Sequence, residues 1–291
     1  MRLTPFRLHR PSGVEAAGEL LAELGRSAQL YCGGTELLLV AKLGLTDFTD
    51  LVDVKAIEEL RGIEAADGEL RIGASTTHRE LERSPLVREL MPALAAMERG
   101  VGNLRVRNVG SIGGNLCFAD PHSDPATFLL AAGGSLSVRA GGAQARRIEI
   151  EDFCRGPYQT ALGPGELLLS VHVPLPEAGC VLAHRKMSFA ERPAITVAAR
   201  LTIADGAVAA ARIAVASVGL RPARARAAEQ ALAGLDALAP DAAQLAAVAD
   251  AAAAESEPVA DSGGSVEYKR QLVRVLTGRC VNDALAGALA A

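Results

Sequence analysis

Two glycine-rich segments contain the residues whose types and spacing are best suited to chemistry. The first is Cys-Gly-Gly-Thr-Glu at residues 32–36, and the second is Gly-Ser-Ile-Gly-Gly-Asn at residues 110–115. Backbone N–H groups at a glycine turn that opens into a helix can replace the water around a phosphate without a cationic side chain. Either segment alone indicates only a turn, whereas their recurrence favours binding of a dinucleotide pyrophosphate.

Neither segment has the GxGxxG spacing of the Rossmann motif, so we expect a different dinucleotide-binding fold. His122 lies in an Asp-Pro-His-Ser-Asp segment, where the sequence places no nucleophile beside it, and we interpret it as a loop residue. Arg105 and Arg107 are interpreted as surface or subunit-contact charges. Glu36 is a candidate for holding a backbone N–H at a helix start.

Composition limits the class of protein. The chain has 291 residues, 49% of them hydrophobic and 22% charged, which predicts two globular domains. The net charge of −4 gives no indication of a nucleic-acid surface. No apolar stretch is long enough for a transmembrane helix, and the N-terminus lacks the features of a signal peptide. We therefore expect a cytoplasmic protein.

The five cysteines form no CxxC pair, and no histidine lies at a zinc-ligand spacing from them. The sequence therefore predicts no iron–sulfur cluster and no metal site in this chain. Cys32 and Cys117 fall within or beside the two glycine segments. They could be redox-sensitive, but buried packing is the favoured interpretation.

Several elements follow from local patterns. Apolar residues at helical spacing predict a helix over 14–24 with Ser12 as its N-cap. A strand at 28–31 enters the first glycine segment, and a helix is expected over 36–43. Asp67-Gly68 predicts a hairpin between strands at 60–63 and 69–72.

Helix starts are also marked further along the chain. Thr77 with Glu80 forms a capping box, and Ser84 with Pro85 predicts a helix through Met97.

The domain boundary is expected at Pro174–Gly179, where prolines and a glycine interrupt the pattern. The predicted domains are 1–176, divided into parts of about 1–55 and 56–176, and 177–291. The second domain reads as a small antiparallel sheet with alanine-rich helices, including one over 223–235, so the fold class is α+β.

Taken together, these segments resemble the FAD-binding medium subunit of the molybdenum hydroxylases, the group of xanthine dehydrogenase and carbon monoxide dehydrogenase. The resemblance covers nearly the whole chain. It rests on Phe6, Pro11, Glu15-Ala16, both glycine segments within a patterned stretch over 102–126, Pro-Gly-Glu-Leu-Leu at 164–168, and Lys186. It implies a two-part FAD-binding domain of the vanillyl-alcohol-oxidase/PCMH type, followed by a C-terminal flavoprotein domain.

The resemblance also implies a set of FAD-binding positions. Residues 31–37 would wrap the pyrophosphate and adenosine half, the second segment would contact the other side, and Leu168 would pack near the flavin ring. Asp124 would make a polar contact, while Lys186 and Ile195 would lie near the flavin's exposed edge. A surface lysine on a strand remains an equal interpretation of Lys186. The candidate residues are Leu30, Tyr31, Cys32, Gly33, Gly34, Thr35, Glu36, Leu37, Val101, Ser111, Gly113, Gly114, Asn115, Cys117, Phe118, Asp124, Leu168, Lys186 and Ile195.

The resemblance implies an electron-transfer role. Electrons from a molybdopterin large subunit would pass through two [2Fe–2S] clusters of a small subunit to FAD here, and then to NAD, quinone or oxygen. The assembly implied is a dimer of heterotrimers.

Two alternatives stay open: a stand-alone FAD-dependent oxidoreductase with its own substrate, and an assembly subunit that has lost FAD. Val101 departs from relatives that carry an aromatic ring near that position, so packing on the flavin is expected to be looser there or to be supplied by a partner chain. The absence of clustered cysteines disfavours the benzoyl-CoA-reducing branch.

Overall fold

The computed structural model describes residues 3–189 and 191–290, in which strands and short helices alternate up to about residue 174. The elements of this part are β1 (Arg7–His9), α1 (Val14–Leu24), β2 (Ala28–Tyr31), α2 (Leu37–Lys42), β3 (Asp50–Asp53), β4 (Ile63–Ala66), β5 (Glu69–Gly73), α3 (His78–Arg83), α4 (Pro85–Leu90), α5 (Pro92–Arg99), α6 (Leu104–Val109), α7 (Ile112–Phe118), α8 (Asp124–Ala132), β6 (Ser135–Ala140), β7 (Arg146–Glu149), α9 (Ile150–Phe153), β8 (Cys154–Gly156), β9 (Gln159–Thr160) and β10 (Glu166–Pro174).

Longer elements follow. They are β11 (Cys180–Ser188), β12 (Pro193–Ala204), β13 (Ala207–Ala216), β14 (Ala223–Arg224), α10 (Arg226–Leu232), α11 (Ala242–Glu255) and α12 (Val266–Ala290).

Three main sheets organise these elements. The first is parallel, in the order β1-β3-β2, and α1 packs against it through Val14 and Ala17. The second is antiparallel, in the order β4-β5-β10-β6-β7, and its core contains the fully buried Phe128 and Phe153. The third, β11-β12-β13-β14, is antiparallel and carries α10, α11 and α12.

Helix α8 joins the second and third sheets. Every residue of α8 is buried, and Ala198 and Ala214 of the third sheet belong to the same hydrophobic cluster as Phe128. Arg200 and Arg212, from β12 and β13, donate hydrogen bonds to carbonyls in the last turn of α8 (2.9 and 3.4 Å). The negative end of a helix dipole favours such cations, so the third sheet holds α8 by charge as well as by apolar packing.

Some local predictions are confirmed. Thr77 and Glu80 form the capping box at the start of α3. Asp67 and Gly68 both have positive φ (51° and 76°), as the hairpin turn between β4 and β5 requires. The strand before this turn begins at Ile63, because Leu60 lies in a short 3-10 helix.

Other local predictions were wrong. The N-cap of α1 is Gly13 rather than Ser12, and the N–H of Val14 donates to a carboxylate oxygen of Glu59 (3.0 Å). A long-range partner thus replaces the local cap.

The helix predicted from Ser84 to Met97 is broken at Met91. Met91 precedes a proline and has an extended φ of −146°, because a proline ring disfavours helical geometry in the residue before it. The predicted helix over 223–235 instead begins as a short strand, because Ala223 and Arg224 pair with β13.

We predict that Leu129→Ala lowers the free energy of unfolding by about 2–5 kcal/mol, because the side chain is fully buried between the sheets. Urea denaturation measures the change. Leu238→Ala is the matched control: its side chain is 70% exposed, and it should cost about 0.5 kcal/mol or less. Equal losses for both variants would contradict the assigned core.

Candidate functional site

The two glycine segments touch each other backbone to backbone. A Cβ added to Gly33 would lie 2.3 Å from the carbonyl oxygen of Val109 and 2.7 Å from the Cα of Gly110. A Cβ on Gly113 would lie 2.5 Å from the carbonyl oxygen of Ala74. Side chains do not fit at these distances, so Gly33 and Gly113 are required by contacts within the protein itself.

The backbone donors of the second segment are used inside the protein. Its N–H groups anchor α7 to the loop before α3 and to its own N-cap, Ser111. The bonds are Ile112 to the carbonyl of Thr76 (3.0 Å), Gly113 to the carbonyl of Ala74 (2.9 Å), Gly114 to Oγ of Ser111 (3.1 Å) and Asn115 to the carbonyl of Ser111 (3.0 Å). The second segment is therefore a fixed support rather than a row of unused donors.

The first segment differs. The N–H groups of residues 34–37 have no hydrogen-bond acceptor within the part of the chain that the structure describes. All four residues face one cleft, at the start of α2. Four adjacent donors at a helix start favour an anion.

The cleft lies between the two segments and has a volume of about 520 Å³, a size typical of sites for small molecules and cofactors. It extends from β2 to Pro193 at the start of β12. The candidate residues on its wall are Leu30, Cys32, Gly33, Gly34, Thr35, Glu36, Leu37, Val101, Ser111, Gly113, Gly114, Asn115, Cys117, Phe118, Asp124 and Leu168.

Tyr31, Lys186 and Ile195 are not among the residues that line the cleft, although the Tyr31 ring lies against Gly34 and Lys186 contacts Asp124. The Tyr31 ring packs under the ammonium of Lys55, 3.8 Å from the ring centre. Ile195 is fully buried in the core of the third sheet, so the chain reaches the cleft at Pro193, two residues earlier.

Lys186 is neither a surface lysine nor part of the wall. Its Nζ lies 2.7 Å from Oδ2 of Asp124, whose side chain is only 4% exposed, and it also donates to the carbonyl of Gly100. His184 lies on the other side of the carboxylate, with Nε2 3.6 Å from Oδ1. Burial acts to raise the pKa of Asp124, but the nearby His184 and the hydrogen bond and charge of Lys186 outweigh it and hold this pKa below its usual value. Asp124 thus faces the cleft as a carboxylate.

A second ion-pair cluster, missed in the sequence, joins three segments at the cleft. Nη2 of Arg192 lies 3.0 Å from Oδ2 of Asp120 and 3.4 Å from Oε2 of Glu36. Glu36 makes no capping bond at α2, which corrects its expected role. Burial raises the pKa of Glu36, although Arg192 opposes this. No local sequence signal marks Arg192, because its partners are distant in the chain.

His78 also lines the cleft and was not predicted. Its Nδ1 lies 2.7 Å from Oε2 of the fully buried Glu98, and its backbone N–H donates to the carbonyl of Gly110 (3.0 Å). The pair therefore lies beneath the second glycine segment. The capping box at Thr77 marks the helix start that positions it.

His122 and Arg107 act locally. Nδ1 of His122 bonds Asp120 at 2.9 Å within its loop, and Arg107 pairs with Glu82 at 3.1 Å and reaches the carbonyl of Val101. The loop interpretation of His122 fits this geometry, whereas Arg107 makes a contact within the chain.

The two cysteines on the wall are poor nucleophiles. Burial raises the pKa of Cys117 to about 12 and also raises the pKa of Cys32. Both thiols are therefore protonated near neutral pH, which favours the packing role. Within residues 3–189 and 191–290, no three His, Cys, Asp or Glu side chains are placed to hold a metal ion. No helix among them is long and apolar enough to cross a membrane.

We predict that Lys186→Met lowers the free energy of unfolding by about 3 kcal/mol at pH 8, because it removes the cation beside a buried carboxylate. In the wild type the lowered pKa of Asp124 gives stability that is lost only as the pH falls below about 4. In the variant, burial without Lys186 raises that pKa, so the deficit should shrink as the pH falls from 8 to 5.

Urea denaturation at both pH values measures this difference. Lys55→Met is the matched control. The Lys55 side chain is 46% exposed, and its Nζ lies 3.1 Å from Oδ2 of Asp53. This substitution should lower the free energy of unfolding by about 1 kcal/mol or less at either pH. A deficit in Lys186→Met that is the same at pH 5 and pH 8 would count against the buried pair.

Comparison with known proteins agrees with this architecture. The family described as the FAD binding domain in molybdopterin dehydrogenase matches residues 4–176, and the CO dehydrogenase flavoprotein C-terminal domain matches residues 183–284. The carbon monoxide dehydrogenase medium chain of Afipia carboxidovorans is 31% identical over 97% of this chain and 98% of its own. The nicotine 6-hydroxylase medium subunit of Paenarthrobacter nicotinovorans is 29% identical over 98% and 99%.

A solved structure shows the same likeness. Carbon monoxide dehydrogenase from Hydrogenophaga pseudoflava, in a form that lacks the Mo-pyranopterin moiety, superposes with a TM-score of 0.94 at 33% identity, covering 98% of this chain and 99% of that chain. The predicted α+β fold, with an FAD-binding part and a C-terminal flavoprotein part, is confirmed. The chain belongs to the family of FAD-binding medium subunits of the molybdenum hydroxylases and is an oxidoreductase subunit.

Proposed function

We propose that this chain holds FAD in the cleft between its glycine segments, receives electrons from [2Fe–2S] clusters of a small subunit and passes them to an external acceptor. The observation that carries the proposal is the row of four unused N–H donors at residues 34–37 on the cleft wall. FAD supplies the electron-carrying chemistry, and the protein supplies binding and orientation.

The first segment would hold the pyrophosphate. A pyrophosphate loses part of its hydration in a cleft, and N–H groups pointing from a helix start can replace that water. Thr35, which also lines the cleft, adds a hydroxyl, and Gly34 has a φ of +70°, a conformation that favours glycine. The second segment supports this loop through Gly33 and completes the wall through Gly114 and Asn115.

The far end of the cleft would hold the flavin. Phe118 and Leu168 supply apolar surface there, and Asp124 supplies a charged acceptor. In this proposal Lys186 acts through Asp124, which it keeps ionised and fixed in place, rather than by touching the cofactor from the wall. The division at residue 176 then separates an FAD-binding domain from a domain that positions Asp124 through β11.

Partner subunits are part of the proposal. The relatives are named as medium chains or medium subunits, which supports an assembly with an iron–sulfur small subunit and a molybdopterin large subunit, arranged as a dimer of heterotrimers. Two histidines at or near the cleft lie beside carboxylates, His78 beside Glu98 and His184 beside Asp124. These pairs position groups around the cofactor, and substrate oxidation is assigned to the large subunit.

We predict that Gly33→Ala raises the Kd for FAD at least about tenfold, because the added methyl would push the two segments apart. It should also lower the free energy of unfolding by about 1–3 kcal/mol. Quenching of FAD fluorescence measures the first change, and urea denaturation measures the second. Gly278→Ala, in the middle of α12 with its nearest neighbour at 3.8 Å, is the control; it should leave FAD binding unchanged and stabilise the chain by about 0.5–1 kcal/mol. Unaltered FAD affinity in Gly33→Ala would count against the two-segment site.

We predict that the isolated chain, loaded with FAD, keeps its flavin oxidised when offered purines, aldehydes or N-heteroaromatic compounds under anaerobic conditions. The same flavin should be bleached when the co-purified iron–sulfur and molybdopterin subunits and their substrate are present. Loss of flavin absorbance near 450 nm is the measurement, with photochemical reduction of the isolated chain as the positive control. Substrate-dependent bleaching of the isolated chain would instead support a stand-alone oxidoreductase.

A further inference from the structure

The cleft presents an electrostatic problem for the cofactor proposed above. FAD carries two negative charges on its pyrophosphate, yet the described wall includes four carboxylates, on Glu36, Asp120, Asp124 and Glu191. Like charges in one cleft repel each other unless a cation or a hydrogen bond offsets them.

Two of the four carboxylates are offset by groups that lie off the wall or carry no charge. Asp124 has Lys186 at 2.7 Å behind the wall. Glu191 accepts a hydrogen bond of 2.6 Å from Nδ2 of Asn103, the N-cap of α6. Asp120, after α7, is bonded by the backbone N–H and by Nδ1 of His122 (both 2.9 Å). The carboxylate of Glu36, in the first glycine segment, has no partner other than Arg192 among the described residues.

Arg192 pairs with both Glu36 and Asp120. Its guanidinium lies 3.0 Å from Asp120 and 3.4 Å from Glu36, and it is the one Arg or Lys side chain on the described wall. The side chain of Asp120 is 12% exposed, whereas those of Glu36 and Arg192 are 38% and 52% exposed, so water screens the Arg192–Glu36 pair more than the Arg192–Asp120 pair. Arg192 precedes β12 and therefore belongs to the C-terminal part of the chain.

We propose that Arg192 is a positioning residue that neutralises Glu36 and Asp120 and thereby makes the cleft able to accept a dianionic cofactor. The inference rests on the proposed FAD site. It adds that cofactor affinity depends on a cation supplied by the C-terminal part, so docking of that part and binding of FAD are coupled.

The groups around Arg192 determine which carboxyl group protonates first as the pH falls. The Tyr158 hydroxyl lies beside the guanidinium, and His122 bonds Asp120 from the side away from it. The hydrogen bond and charge of His122 help to hold the pKa of Asp120 below its usual value despite burial, whereas burial raises the pKa of Glu36. Glu36 is therefore the carboxyl that protonates first as the pH falls.

The test measures the Kd for FAD of the full chain by fluorescence quenching in four forms: wild type, Arg192→Gln, Glu36→Gln in the Arg192→Gln background, and Arg274→Gln. Arg192→Gln should raise the Kd about tenfold or more at pH 8, and the added Glu36→Gln should recover a large part of that loss. Arg274 is the matched control, because it pairs with Asp250 on an exposed side chain of α12 away from the cleft. Arg274→Gln should leave the Kd unchanged.

A pH series gives a second readout that general damage to the fold would not produce. Since protonation of Glu36 removes the repulsion that Arg192 normally offsets, the Kd of Arg192→Gln should approach the wild-type value as the pH falls from 8 to 5. The double variant should show little of this dependence. Urea denaturation of each apoprotein verifies that all four forms are folded.

Three outcomes would overturn the inference. An unchanged Kd in Arg192→Gln would show that the charge is not needed. A double variant that binds FAD as weakly as Arg192→Gln would show that Arg192 contacts the phosphates directly rather than offsetting Glu36. A rise in the Kd of Arg192→Gln that is the same at every pH would have the same meaning. Failure of the wild type to bind FAD would instead overturn the proposed function, so the two failures are distinguishable.

Discussion

The backbone contact between Gly33 and the Val109–Gly110 peptide is the constraint on which the site depends. At 2.3 Å from a carbonyl oxygen no Cβ fits, so the two glycine segments come together only if this position has no side chain. The second segment is immobilised by bonds from its own N–H groups to Thr76, Ala74 and Ser111. The first segment rests on that support with its donors at 34–37 left unused. The second segment is thus the rigid support, and in the proposed function the first segment would supply affinity for the cofactor pyrophosphate.

Helix α8 connects the cleft to the third sheet. Its first residue, Asp124, faces the cleft and is held by Lys186 and His184 from β11, while its last carbonyls are held by Arg200 and Arg212 from β12 and β13. The third sheet therefore reaches the cofactor cleft through a fully buried helix rather than through a loop. Because every residue of α8 is buried and protein interiors contain few voids, the packing of α8 fixes the position of Asp124.

Features that depend on neighbours in the chain could be predicted from the sequence. Each of these features depends on at most six consecutive residues: the capping box at Thr77, the hairpin turn at Asp67-Gly68 and the two glycine segments. The family resemblance then supplied further candidate residues outside these segments, and most of the candidates line the cleft.

Features that depend on distant partners could not be predicted. Arg192 meets Glu36 across 156 residues and Glu98 meets His78 across 20, and neither spacing carries a local pattern. Lys186 left two interpretations open, because a lysine on a strand is exposed or buried according to what lies against it. Here its Nζ contacts Asp124 of α8 and the carbonyl of Gly100, which follows α5. Ile195 stays a prediction as a cofactor contact; it lies in the core of the third sheet, whereas Pro193 lines the cleft.

Amide hydrogen–deuterium exchange with and without FAD tests the central claim, because it distinguishes the two segments residue by residue. The amides of residues 112–115 should already be protected without FAD and should change little when it is added. Those of residues 34–37 should exchange rapidly in the apoprotein and become strongly protected with FAD. Protection that appears at 112–115 while 34–37 stay fast would contradict this division between support and cofactor binding.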